Sequence, residues 1–164
     1  MALAELLCAA VISIGMPRPE VACQHMETVV EASEAEAVDP YVMLGLIHIE
    51  SRWSVTAHSS SNACGLTQIV PKWTGSRRTG VPKLTCKELF VPTKSIRMGA
   101  RTFSFWLTDY AKGDYKVALC GYNKGYRCKG DTPHPTGMRY ASRVLRKAQQ
   151  LRTAVARIEE DSCP

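Results

Sequence analysis

The sequence predicts a mainly α-helical single domain with little or no sheet. Apolar residues recur at helical spacing over most of the chain, the mark of helices with one buried face. Aspartate or proline stands where several of these patterns begin, as helix starts favour. Between residues 53 and 84 the periodicity fails and Ser, Gly, Thr and Pro take over. With 164 residues, 45% of them hydrophobic and 22% charged, the chain has the size and make-up of one ordinary soluble globule.

Residues 1–15 are apolar except for Glu5 and Ser13, and Pro17-Arg18-Pro19 follows them. A buried first helix, broken at the prolines, fits this stretch. An export or anchor segment is the other reading, although a positive leading region and a clear small-x-small site are both missing. No stretch reaches the length of a transmembrane helix, so no stable membrane insertion is expected. Residues 23–38 are rich in Ala and Glu, with Met26, Val29 and Val30 at helical spacing. Asp39-Pro40 then supplies an N-cap and a first-turn proline for a helix ending near Glu50. Pro92 opens another, with Ile96, Gly99, Ala100, Phe103, Trp106 and Leu107 on one stripe. A shorter helix is expected from about Asp114 into Tyr122. A long one follows from about Met138, its buried seam formed by Val144, Ala148, Leu151, Val155 and Ile158. No repeat, low-complexity tract or linker divides the chain, so residues 1–164 read as one domain.

Glu50 closes the apolar run Val42, Met43, Leu44, Leu46, Ile47, Ile49, and no Lys or Arg stands close before it. Burying an unpartnered carboxylate costs several kcal/mol, or raises its pKa until it holds a proton near neutrality. A general acid needs that property. A glutamate that ends a core helix and points into water is the plain alternative, and this segment alone does not choose between them.

Beyond Glu50 come Ala57-His58-Ser59-Ser60-Ser61-Asn62-Ala63-Cys64-Gly65-Leu66-Thr67-Gln68-Ile69-Val70-Pro71, then Gly121-Tyr122-Asn123-Lys124-Gly125, then Arg139-Tyr140. In these blocks, over about residues 38–144, the chain resembles the soluble (SLT-type) lytic transglycosylases, relatives of goose-type lysozyme within the lysozyme-like superfamily. That family reads Glu-Ser, an Ala-x-Ser stretch, Gly-Ala-x-Gly-Leu-Met-Gln-Ile-x-Pro, and later Ala-Tyr-Asn-x-Gly. Residues 89–100, with Pro92, are similar to its middle segment. Four blocks in the family's order make chance a poor explanation. The resemblance implies an α+β lysozyme-like fold whose small β or irregular lobe flanks a substrate cleft, and residues 53–84 stand in that place.

It also implies a reaction. In the family one glutamate protonates the glycosidic oxygen between N-acetylmuramic acid and N-acetylglucosamine, then takes the proton of the muramoyl 6-hydroxyl as that oxygen closes on the anomeric carbon. The product is 1,6-anhydromuramic acid. Ordinary glycoside hydrolysis uses two carboxylates. Here only Glu50 lies in a matching block, while Glu88, Asp109, Asp114 and Asp131 read as helix-start or loop acids. The resemblance makes Glu50 the catalytic residue and Ser59, Gln68, Tyr122, Asn123 and Tyr140 the substrate-binding set. Ser59 reads equally as a local turn, Gln68 as a satisfied buried amide and Tyr122 as a core aromatic.

Several positions depart from the family pattern. Asn62 replaces Gly and tolerates the same left-handed turn. Thr67 replaces Met, which removes an apolar contact expected in the cleft. Gly121 replaces Ala, a mild loosening of a helix. Thr136 stands where some members carry an acid. A goose-type lysozyme-like hydrolase, or a non-catalytic glycan-binding domain, are the alternatives.

The net charge of +6, from 21 basic and 15 acidic residues, favours polyanions in general. No nucleic-acid motif accompanies it. Peptide-bridged glycan with free carboxylates is the better-supported partner, and a monomer is expected. Seven cysteines suggest up to three disulfides, one free thiol and an oxidising site of action. Cys8 with Cys23 and Cys120 with Cys128 are the tempting pairs, but sequence does not determine connectivity; reduced, buried cysteines remain the other reading. No closely spaced Cys/His pair suggests a metal, and the chemistry requires no cofactor. The expected setting is the periplasm or cell wall, reached by a bacterial chain or delivered by a phage. A compact domain of this kind suits phage lysis, a virion, or the opening of the wall for a secretion apparatus.

Overall fold

Asp39 caps the helix on which the site is built. Its Oδ1 accepts the backbone N–H groups of Tyr41 at 2.8 Å and Val42 at 3.4 Å, two donors that a helix start otherwise leaves unpaired. Pro40 occupies the first turn, where no N–H partner is needed. A computed structural model describes residues 1–162. Their helices are α1 (Leu3–Ser13), α2 (Pro19–Gln24), α3 (Met26–Ala35), α4 (Pro40–Ser51), α5 (Cys86–Leu89), α6 (Pro92–Phe105), α7 (Tyr115–Lys124) and α8 (Pro135–Ser162). A 3-10 turn covers Pro71–Trp73 and a π-helical turn Trp106–Tyr110.

The seam of α8 organises the core. Tyr140, Ala141, Val144, Ala148, Leu151 and Val155 are buried against α4, α7 and α1. Helix α1 buries Leu6, Leu7, Ala10 and Val11 in the same core, so residues 1–15 form a core helix as the apolar pattern suggested. Each such side chain contributes roughly 1.5–3 kcal/mol on burial. The cap of α4 reaches further than its own helix. Asp39 Oδ2 pairs with Arg152 of α8, and the Asp39 N–H donates to Tyr115 Oη of α7 at 3.0 Å.

Four boundaries differ from the sequence expectation. Residues 23–38 form parts of two helices, because His25 (φ −109°) interrupts α2 from α3. The stripe of α6 does not continue as α-helix through Trp106 and Leu107, which lie in the π-helical turn closed by Ala111 N–H to the Trp106 carbonyl at 2.8 Å. Helix α7 runs on to Lys124 and stops at Gly125. Helix α8 starts at Pro135 rather than near residue 138, with its first-turn proline in the position that suits helix starts.

The segment between α4 and α5 is an irregular lobe. Its β content is two isolated antiparallel bridges, His58 with Cys64 and Cys64 with Ile69. A small cluster of Cys64, Ile69, Val81, Leu84 and Leu89 fills it. Gly65 (φ +77°) sits where an added Cβ would run into the Leu89 carbonyl, so close backbone approach requires glycine there. Asn62 (φ +62°) takes the left-handed conformation expected of it. Three disulfides, Cys8–Cys23, Cys64–Cys86 and Cys120–Cys128, tie α1 to α2, the lobe to α5, and α7 to the loop after it. Cys163, the remaining thiol of the sequence, lies outside the described residues.

Thr67 corrects an expectation. It does not face a cleft: it is fully buried, its Oγ1 donates to the Ser95 carbonyl at 2.9 Å, and its N–H donates to Ser95 Oγ at 3.2 Å. These bonds pin the lobe to α6, and Gly99 leaves the space, since a Cβ there would lie 2.6 Å from Thr67 Cβ.

Candidate active site

Glu50 lies in the last turn of α4, and the chain leaves that turn by a rigid route. Arg52 (φ 49°) and Trp53 (φ 64°) are left-handed, and Trp53 is fully buried. Ser51 Oγ bridges the end of the helix, donating to the Ile47 carbonyl at 3.1 Å and accepting the Trp53 N–H at 3.2 Å. The carboxyl that emerges is held by one side chain, Tyr140 of α8, whose hydroxyl donates to Glu50 Oε1 at 2.6 Å.

Burial pushes the Glu50 carboxyl up to about 7, while the Tyr140 bond pulls it the other way by favouring the carboxylate. No cation offsets the burial. His48, on the same helix, is pulled down to about 4 by its own burial and by Lys147, Arg52 and Arg143, so it is neutral near pH 7 and lends Glu50 no charge. Burial, then the nearby Glu50, push the Tyr122 and Tyr140 hydroxyls up, so both remain donors. The result is a carboxyl poised between its two protonation states at neutral pH.

Of the other expected residues, Tyr122 lies near enough to feel the Glu50 charge, and the rest are engaged elsewhere. Tyr122 Oη donates to the Thr67 carbonyl at 2.6 Å rather than to Glu50. Gln68 (φ 52°) directs Nε2 to the carbonyls of Ala57 and Gly65, both at 3.0 Å, which leaves its Oε1 as the acceptor for an incoming N–H. Asn123 follows Tyr122 on α7 and lines the groove described below. Ser59 Oγ is engaged in its own turn, accepting the Ala63 N–H at 3.0 Å and lying 3.0 Å from Ser61 Oγ. The other acids have structural duties or lie exposed. Glu88 accepts the Thr85 N–H at 2.9 Å and meets Lys94 at 3.2 Å, Asp114 caps α7 through the Val117 N–H at 3.0 Å, and Asp109 and Asp131 are exposed.

A groove of about 600 Å³ lies between the lobe and α7, with Gln68 and Tyr122 in its wall; Glu50 is not among its lining residues, and Tyr122, whose hydroxyl feels the Glu50 charge, connects the two. Aromatic side chains form much of its wall: Trp73, Phe105, Trp106 and Tyr126. The Trp106 and Tyr126 rings meet at 5.0 Å between centroids. Sequence reasoning did not find this wall. Gly121 explains why, and corrects the reading of it as a loosened helix position. A Cβ at Gly121 would fall 2.6 Å from Trp106 Cε3, so the glycine is what allows the indole to lie on α7. The departure from Ala at 121 was the available signal, but its partner lies 15 residues away in the chain.

A helical core, an irregular lobe with a groove beside it, and a half-buried glutamate at the end of α4 fit the lysozyme-like class of glycan-cleaving folds. The structure of an inactive mutant of lytic transglycosylase Slt from Pseudomonas aeruginosa superposes on the chain with a TM-score of 0.70 at 21% identity, covering 93% of this chain and 30% of that one. The chain thus spans under a third of that protein's length. Residues 27–140 match the transglycosylase SLT domain, and the chain belongs to that family. No curated protein sequence matches it.

Proposed function

We propose that the chain is a peptidoglycan lytic transglycosylase that acts outside the cytoplasm and uses Glu50 as acid and then base. The observation that carries this reading is the half-buried Glu50 carboxyl, raised to about 7 and held by the Tyr140 hydroxyl with no cation beside it. Membership of the SLT domain family supplies the substrate class. The Slt relative bears an inactivating glutamate-to-glutamine change, which accords with one essential carboxyl. Three disulfides accord with an oxidising compartment, and no described helix is long and apolar enough to cross a membrane.

Protonated Glu50 gives its proton to the oxygen joining muramoyl C1 to the next N-acetylglucosamine, and the C1–O bond breaks. The glucosamine leaves with a free 4-hydroxyl. The carboxylate, steadied by Tyr140, takes the proton of the muramoyl 6-hydroxyl while O6 bonds to C1. Glu50 ends protonated and no water enters. Gln68 Oε1 accepts an acetamido N–H, Tyr122 and Asn123 hold the sugar at the start of the groove, and Ser59 supports the loop beneath it. The free enzyme must be protonated to begin, so kcat/KM falls as pH rises through about 7. Glu50→Gln is expected to lose about 10²- to 10⁴-fold in turnover. Digestion of purified peptidoglycan, with products identified by mass, tests both: anhydro-ended muropeptides from wild type alone support the reading, and Glu50-independent cleavage overturns it.

A further inference from the structure

We propose that the aromatic arm of the groove, beyond Tyr122, is an anion site that receives carboxylates of the peptide stem carried by the glycan. The proposal rests on the transglycosylase reading and specifies which substrate that site selects.

Arg78, Lys124 and Arg127 line the arm, and no Asp or Glu does. The Arg78 guanidinium lies over two aromatic faces, 5.8 Å from the Phe105 centroid and 6.0 Å from that of Tyr126. A guanidinium held near aromatic faces keeps its N–H donors for an anion, and a carboxylate can take two of them at once. The ion pairs among the described residues engage Lys94, Arg97, Arg101 and Arg152, and none engages the three cations of the arm. Arg127 gives Nε to the Lys124 carbonyl at 3.2 Å and keeps its terminal nitrogens available.

These charges are held in place. The Cys120–Cys128 disulfide ties the Arg127 loop to α7, Cys128 N–H donates to Tyr110 Oη at 3.1 Å, and His134 N–H donates to the Arg127 carbonyl at 2.9 Å. The floor depends on Gly121, because a Cβ there would fall 2.6 Å from Trp106 Cε3. Trp73 and Tyr126, 71% and 60% exposed, stand on the arm as apolar platforms. A glycan backbone whose lactyl carboxyl is amide-linked to its stem is uncharged, so it gives three unpaired cations nothing to bind. The stem brings several carboxylates at a short reach from the muramoyl ring.

The test is calorimetric binding to Glu50→Gln, which keeps the groove and does not consume ligand. Two muramoyl-peptide tetrasaccharides are compared, one with free stem carboxyls and one with those carboxyls converted to primary amides. The free form is expected to bind about three- to tenfold more tightly. That advantage is expected to shrink at about 0.5 M salt, and to vanish when Arg78→Gln and Arg127→Gln are added. Circular dichroism of that variant verifies its fold. Equal affinity for both ligands, or an advantage that survives the arginine changes, overturns the proposal while leaving the transglycosylase reading intact. Failure of both ligands to bind overturns the two together.

Discussion

The raised Glu50 carboxyl comes at a cost to the fold. Its carboxyl rises from 4.5 to about 7 on folding, so between those values the folded chain binds more protons than the unfolded one. Stability from this group is therefore fully present below about pH 4.5 and is lost as pH rises through about 7. The size is on the order of 3 kcal/mol. Glu50→Gln mimics the neutral form, so its urea midpoint should exceed that of wild type at pH 8 and converge with it near pH 4.5; an equal offset at both values contradicts the burial account. Tyr140→Phe removes the bond that favours the carboxylate, and the alkaline limb of the kcat/KM profile should move upward. Glu50 was legible in the sequence because its apolar approach is local. Its contact with Tyr140 spans 90 residues and depends on how α4 meets α8, which no local pattern encodes.

At the scale of elements, caps and prolines carried most of the readable information. Asp39-Pro40, Pro92 and Asp114 each stand at a real helix start. What periodicity did not reveal were departures from regular helix: the break at His25, and the π-helical turn that turns Trp106 toward α7. Thr67 was misplaced for a related reason. Its partner Ser95 is 28 residues on, so the substitution for Met read as a cleft change when it is a lobe-to-α6 latch. Thr67→Met should restore the family residue and yet destabilise the chain by about 1–3 kcal/mol, through overpacking against Gly99 and loss of the Oγ1 bonds to Ser95. Thermal unfolding measures this, and a neutral result contradicts the latch.

For the whole molecule, the helical class and single core followed from composition and periodicity, and the order of the motifs pointed to the family. The disulfide map did not follow, since connectivity depends on which loops the fold brings together. Cys64 meets Cys86 only because the irregular lobe folds back on α5. Closing loops in the unfolded chain contributes about 2–4 kcal/mol per disulfide. Reduction should therefore lower the thermal midpoint by on the order of 10 °C or more, and an unchanged midpoint would show that the bridges do not constrain the chain.

In the proposed reaction one carboxyl, acting as acid and then base, completes the cleavage without water. Digesting peptidoglycan in ¹⁸O-labelled water and weighing the muramoyl ends tests it most directly. Ends one water lighter than reducing sugar and free of label are expected. Muramoyl reducing ends carrying ¹⁸O at C1 would show that water attacks there, and would contradict it.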